Sequence, residues 1–123
     1  RVPTEGLLRA SSRAAIVASE EDRAMRIILN KASGTLTVKA GSPEKGRMEE
    51  SVPAIITGED VEIWVQHKYI LQALEKIGSQ DTFIGISGLV SPMKLEPVED
   101  QEGEAAVQAT YVVMPMSSPK GTF

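Results

Sequence analysis

Apolar residues recur at helical spacing in two stretches of the chain and at alternate positions in much of the remainder. Leu7, Leu8, Ser11, Ala14, Ala15 and Ala18 fall on one side of a helix over roughly residues 4–18, with Arg9, Ser12 and Arg13 opposite. Thr4 is placed to cap it, and Glu5 lies in the first turn, where the helix dipole favours an acid. Ile70, Ala73, Leu74 and Ile77 make the apolar side of a second helix over roughly residues 67–77, with Lys68, Gln72, Glu75 and Lys76 opposite. Gly78 follows as a natural terminating residue. The strand pattern predicts extended segments at about 23–29, 35–39, 47–53, 60–65, 83–86, 93–95 and 107–114. Residues 31–34 form a turn, Gly41-Ser42-Pro43 a loop, and the acidic stretch 96–106 an exposed loop. The segment at 47–53 is charged enough to suit a sheet edge.

In order, the second half reads strand, helix, strand, strand, strand. The first half reads helix, strand, strand, strand, with Arg1-Val2-Pro3 as the stump of a missing opening strand. The chain is therefore expected to hold one unit twice, β-α-β-β-β, cut short at its start. Arg1 in place of an initiating Met predicts a partial or processed chain.

The length of 123 residues suits one domain with a real core. There is no cysteine, which removes thiolate catalysis, disulfides and cysteine metal sites, and His67 is the single histidine. No apolar run approaches the roughly 20 residues of a membrane span. The net charge of −4 argues against binding nucleic acid over the whole surface. Local distribution matters more. Each helix carries basic residues on its polar side, Arg9 and Arg13 on one, Lys68 and Lys76 on the other, a pattern open both to a solvated face and to a face turned toward phosphates.

Candidate chemistry is sparse. No glycine-rich phosphate loop and no nucleophile elbow occurs. Glu20-Glu21 and Glu49-Glu50 lie in segments expected to be exposed, whereas general acid–base work needs a desolvated carboxylate. His67, at the start of the second helix, is expected to cap or lie at the surface. These residues suit a binding or scaffolding domain better than an enzyme.

The closing stretch Tyr111-Val112-Val113-Met114-Pro115-Met116 is apolar but interrupted. Pro115 offers no N–H, so the run should end there or lie at a sheet edge, and two flexible thioethers flank the break. Together with Leu7-Leu8, Arg13-Ala14-Ala15-Ile16, Tyr69-Ile70-Leu71 with Leu74, and Ser91-Pro92 before Met93-Lys94-Leu95, this stretch resembles the C-terminal, third domain of the bacterial DNA polymerase III beta subunit, the sliding-clamp family. The likeness runs from residue 1 to about 116.

That resemblance implies an α+β DNA-clamp domain with two helices on one face of antiparallel sheets, followed by a flexible tail at 117–123. It implies a non-catalytic, cytoplasmic processivity factor without cofactors. Two three-domain chains close into a homodimeric ring around double-stranded DNA, which is contacted without regard to sequence. The ring tethers the DNA polymerase III alpha subunit, the clamp loader and other proteins through short peptides docked in a hydrophobic cleft. Carried over by residue, the cleft candidates are Val90, Ser91, Pro92, Val112, Val113, Met114, Pro115 and Met116. Ile16 and Val17, with Glu44, Glu49 and Glu50 on the charged edge, are the candidates for the interface between chains. Gly46 and Arg47 interrupt the acids usual at that edge. Arg9, Arg13, Lys68 and Lys76 would face DNA. The family often ends in Arg and an apolar residue; here Ser117 to Phe123 follow instead. Two alternatives stand beside this reading: an adaptor of the same fold that does not encircle DNA, and a metal-dependent hydrolase, which would require Asp and Glu to converge in one pocket.

Overall fold

The computed structural model describes residues 1–88, 91–98 and 110–116. Its elements are β1 (Val2–Pro3), α1 (Thr4–Val17), β2 (Ala24–Asn30), β3 (Thr35–Ser42), β4 (Gly46–Pro53), β5 (Val61–Gln66), α2 (His67–Lys76), β6 (Asp81–Gly85), β7 (Met93–Pro97) and β8 (Tyr111–Val113). This is the repeated β-α-β-β-β order, with a two-residue opening strand in the first unit.

The repeats exchange their opening strands. One antiparallel sheet has the order β4-β3-β2-β5 and the other β1-β6-β7-β8. Each therefore takes three strands from one repeat and the first strand of the other. The joints are matched bond for bond. The first helical N–H of α1, on Thr4, donates to Gln80 O at 2.9 Å, just before β6. That of α2, on His67, donates to Arg23 O at 3.0 Å, just before β2. Both helix N-termini thus satisfy one of their orphan donors across the repeat boundary. Arg23 holds a left-handed φ of 52°, uncommon for a residue with a side chain, while its carbonyl accepts that bond.

The core lies between the sheets and the two helices, which pack on each other. Leu7, Ala10 and Ala14 of α1 meet Met25, Ile27, Leu36, Val38, Ile63 and Val65 from one sheet, with Ile70, Leu74, Met93 and Leu95 completing the cluster. Strand β3 alternates without a fault, burying Leu36, Val38, Ala40 and Ser42. Burying a large aliphatic side chain contributes about 1.5–3 kcal/mol, so these residues dominate the stability. Strand β4 is an edge strand, as its charge predicts.

The structure corrects several local expectations. Thr4 is not the cap of α1: Pro3 occupies that position, and Thr4 is the first helical residue, its buried hydroxyl 2.7 Å from that of Thr82. Gly41 and Ser42 are not loop residues, because the β3–β4 ladder continues to the Ser42↔Gly46 pair. Gly41 fits there because a Cβ would come within 3.0 Å of the Arg47 side chain, and Gly46 supplies a φ of 94° to close the hairpin. Gly78 ends α2 without a left-handed conformation; Ile77 turns extended and keeps its N–H bonded to Ala73 O. Strand β7 extends into Glu96 and Pro97, which were expected in a loop; residues 99–109 of that loop and of the expected last strand lie outside the described residues.

Candidate functional site

The closing stretch is positioned by two sets of backbone bonds. Strand β8 is a sheet edge whose register pairs Met93 with Val113 and Lys94 with Val112. Alternation then buries Val113 and turns Val112 and Met114 outward, at 59% and 56% exposure. Ser91 and Pro92 immediately precede β7, whose first residue, Met93, opposes Val113. Val90 lies outside the described residues. The chain passes Pro115 and forms one isolated bridge, in which the Met116 N–H donates to Trp64 O at 2.8 Å. Of the expected cleft residues that are described, Pro92, Val112 and Met114 are exposed, Ser91, Pro115 and Met116 are half-buried, and Val113 belongs to the core.

Nothing in the sequence pattern singles out Trp64 beyond its place in the extended segment at 60–65. The bridge puts it directly opposite Met116, and directly opposed residues share a sheet face. The Arg26 guanidinium lies over its ring, 5.5 Å from the centroid, and is ion-paired with Glu62. A lone indole on the outward phase of an otherwise ordinary strand was the available signal.

The charged candidates gather elsewhere. Arg13 pairs with Glu50, so one residue expected to face DNA is held by one expected at the interface between chains. Glu49 pairs with Lys39 at 3.0 Å, and Glu44 is exposed in the turn before β4. Ile16 is 69% exposed at the end of α1, while Val17 packs partly on the core. Arg9 is exposed and only loosely near Glu5, at 3.9 Å. Lys68 is exposed with its ammonium 6.0 Å from the Tyr69 ring centroid. Lys76 is exposed in the last turn of α2, where the helix dipole favours a cation. The two helices carry four cations and two acids, although the whole chain is acidic.

His67 differs from the expected cap or surface group. It is half-buried as the first residue of α2, Gln66 holding the cap position, and its Nδ1 is buried without a hydrogen-bond partner. Burial, then the nearby Arg23 charge, lowers its pKa below the ordinary 6.5. Among the described residues no three acids or histidines gather as metal ligands, so the convergence required by the hydrolase alternative does not occur there. Among them also, no helix is long and apolar enough to cross a membrane.

Residues 1–117 match the family described as DNA polymerase III beta subunit, C-terminal domain. The chain belongs to that family. Proteins named beta sliding clamp align over nearly all of it, at 30% identity in Synechococcus elongatus (94% of this chain, 29% of that protein). The protein of that name from Proteus mirabilis is 36% identical (89% and 28%). A crystal structure of the DNA polymerase III subunit beta from Pseudomonas aeruginosa superposes with a TM-score of 0.82 at 30% identity, covering 94% of this chain and 30% of that one. The chain thus spans under a third of the length of these relatives. The clamp-domain fold expected from the sequence, α+β with repeated units and antiparallel sheets, is the fold observed.

Proposed function

We propose that this chain is one domain of a bacterial replicative sliding clamp, a non-catalytic subunit that encircles duplex DNA in the cytoplasm and tethers DNA polymerase III. The family match over residues 1–117 carries this reading. The whole protein forms a homodimeric ring, with Ile16, Val17 and the acids of β4 in contact with the other chain. Arg9, Arg13, Lys68 and Lys76 face DNA phosphates, which position the duplex without reading its sequence. The outward face of Val112, Met114 and Met116 docks short apolar peptides of the polymerase alpha subunit, the clamp loader and other partners, and Val90, Ser91 and Pro92 are further candidates for contact with them. Thioethers suit that task because they repack around varied side chains at low cost.

Topological retention tests the ring. The whole protein that contains this domain, once loaded, should remain on nicked circular DNA in high salt and slide off the same DNA after linearisation. Equal loss from both forms would contradict encirclement.

A further inference from the structure

We propose that Trp64 is a contact residue of the peptide-docking face, its indole walling the end of that face beside Met116 and favouring peptides with an aromatic side chain. The inference rests on the docking role given to Met114 and Met116 and adds a residue from a different strand and a different repeat.

Three observations carry it. First, Trp64 and Met116 are bridge partners, joined by the 2.8 Å bond from the Met116 N–H to Trp64 O. Directly opposed residues have Cβ atoms about 4.5–5.5 Å apart on one face. The outward phase of β5 therefore continues into that of Val112 and Met114 across the seam between the sheets. Second, Ile63 and Val65 are buried on either side of Trp64, so the indole belongs to the outer face, where it is only half-buried. Third, the ring is already held. Arg26, its cross-strand partner, lies over it at 5.5 Å and is itself tied to Glu62. A fixed aromatic wall loses little freedom when a ligand arrives.

The chemistry of the lining sets the preference. Methionine sulfur makes favourable contacts with aromatic rings, and an indole stacks with them. An aliphatic side chain gains contact area from both but none of the specific ring interactions.

The chain has a single tryptophan, so emission from the 123-residue chain reports on Trp64 alone. The probes are acetyl-leucyl-phenylalaninamide, acetyl-leucyl-leucinamide and acetyl-alanyl-alaninamide, followed by indole emission and by the NMR methyl signals of Met114 and Met116. The phenylalanyl peptide should shift indole and methyl signals together, and the alanyl peptide neither. Trp64→Ala should weaken the phenylalanyl peptide about five- to tenfold and abolish its advantage over the leucyl peptide; Trp64→Phe should retain most of both. If the methyl signals respond while the indole does not, or if Trp64→Ala binds as well as the parent, the role of Trp64 is overturned and the docking face stands. If neither set responds, the role of Trp64 is overturned, and the docking face is judged by peptide titration of the whole protein. Should Trp64→Ala not fold, the unmodified chain and Trp64→Phe decide between these outcomes.

Discussion

The N–H of Met116 donates to Trp64 O, and the N–H of Ile55 donates to Arg1 O in the same way, at 2.8 and 2.9 Å. Arg1 and Trp64 each stand three residues before the first residue of a helix. The Met116–Trp64 bond is thus one of a symmetric pair that joins the two sheets at both seams. It fixes the end of the chain's closing stretch against a strand from the middle of the sequence, and so shapes the candidate docking face.

The exchanged-strand core gives the first expectation. Ile27 is fully buried in β2, between β3 and β5. Ile27→Ala should lower unfolding stability by about 2–5 kcal/mol, since it removes buried methyl groups and leaves a cavity. Urea denaturation measures this. A loss within about 0.5 kcal/mol, the range of surface changes, would place Ile27 outside the core.

Much of this architecture was legible in the sequence, and the reasons lie in particular residues. Leu36 and Val38 mark β3 because one face of that sheet is buried, and Leu7, Ala14, Ile70 and Leu74 mark helices because each helix buries only one stripe. The repeat order followed from these. The exchange of opening strands did not, because pairing between β1 and β6 leaves no periodic trace in either segment. Gly41 hid the length of β3, since a glycine reads as a break until the neighbouring Arg47 explains it. Within the candidate site, Met114 to Met116 stood out through Pro115. Trp64 did not, because its meeting with Met116 depends on a contact between residues far apart in sequence.

The Arg13–Glu50 pair joins α1 to the edge strand β4, with the arginine side chain 57% exposed. Surface pairs of this kind contribute about 0.2–1 kcal/mol. A double-mutant cycle with Arg13→Ala and Glu50→Ala should give a coupling in that range that shrinks in molar salt. Coupling that is insensitive to salt would mean the pair is effectively dry, contrary to its exposure.

His67 makes stability depend on pH in a defined direction. Its folded pKa lies below the ordinary 6.5, chiefly through burial and secondarily through Arg23. The unfolded chain therefore binds the proton more readily, and stability rises with pH across the window between the two values. On acidification the contribution should begin to fade near pH 6.5 and be lost as pH drops through the folded value. Thermal unfolding of His67→Gln should show a flatter profile over that window. An equal slope in the variant would assign the dependence to other groups.

Ile16 is an exposed aliphatic residue at the end of α1, beside the partly packed Val17. If this end of the domain meets another chain, Ile16→Ala with Val17→Ala in the whole protein should convert dimer to monomer at micromolar concentration. Sedimentation velocity reads the outcome, and an undiminished dimer peak would move the interface elsewhere.

The peptide-docking face is the central functional claim, and calorimetric titration tests it most directly. A peptide bearing the clamp-binding segment of the polymerase alpha subunit is titrated into the whole protein and into its Met114→Ala, Met116→Ala variant. Losing two thioethers from the contact should weaken binding at least about tenfold, while the thermal midpoint stays within about 3 °C because Met114 is exposed and Met116 half-buried. Equal affinity in the two proteins would contradict the account.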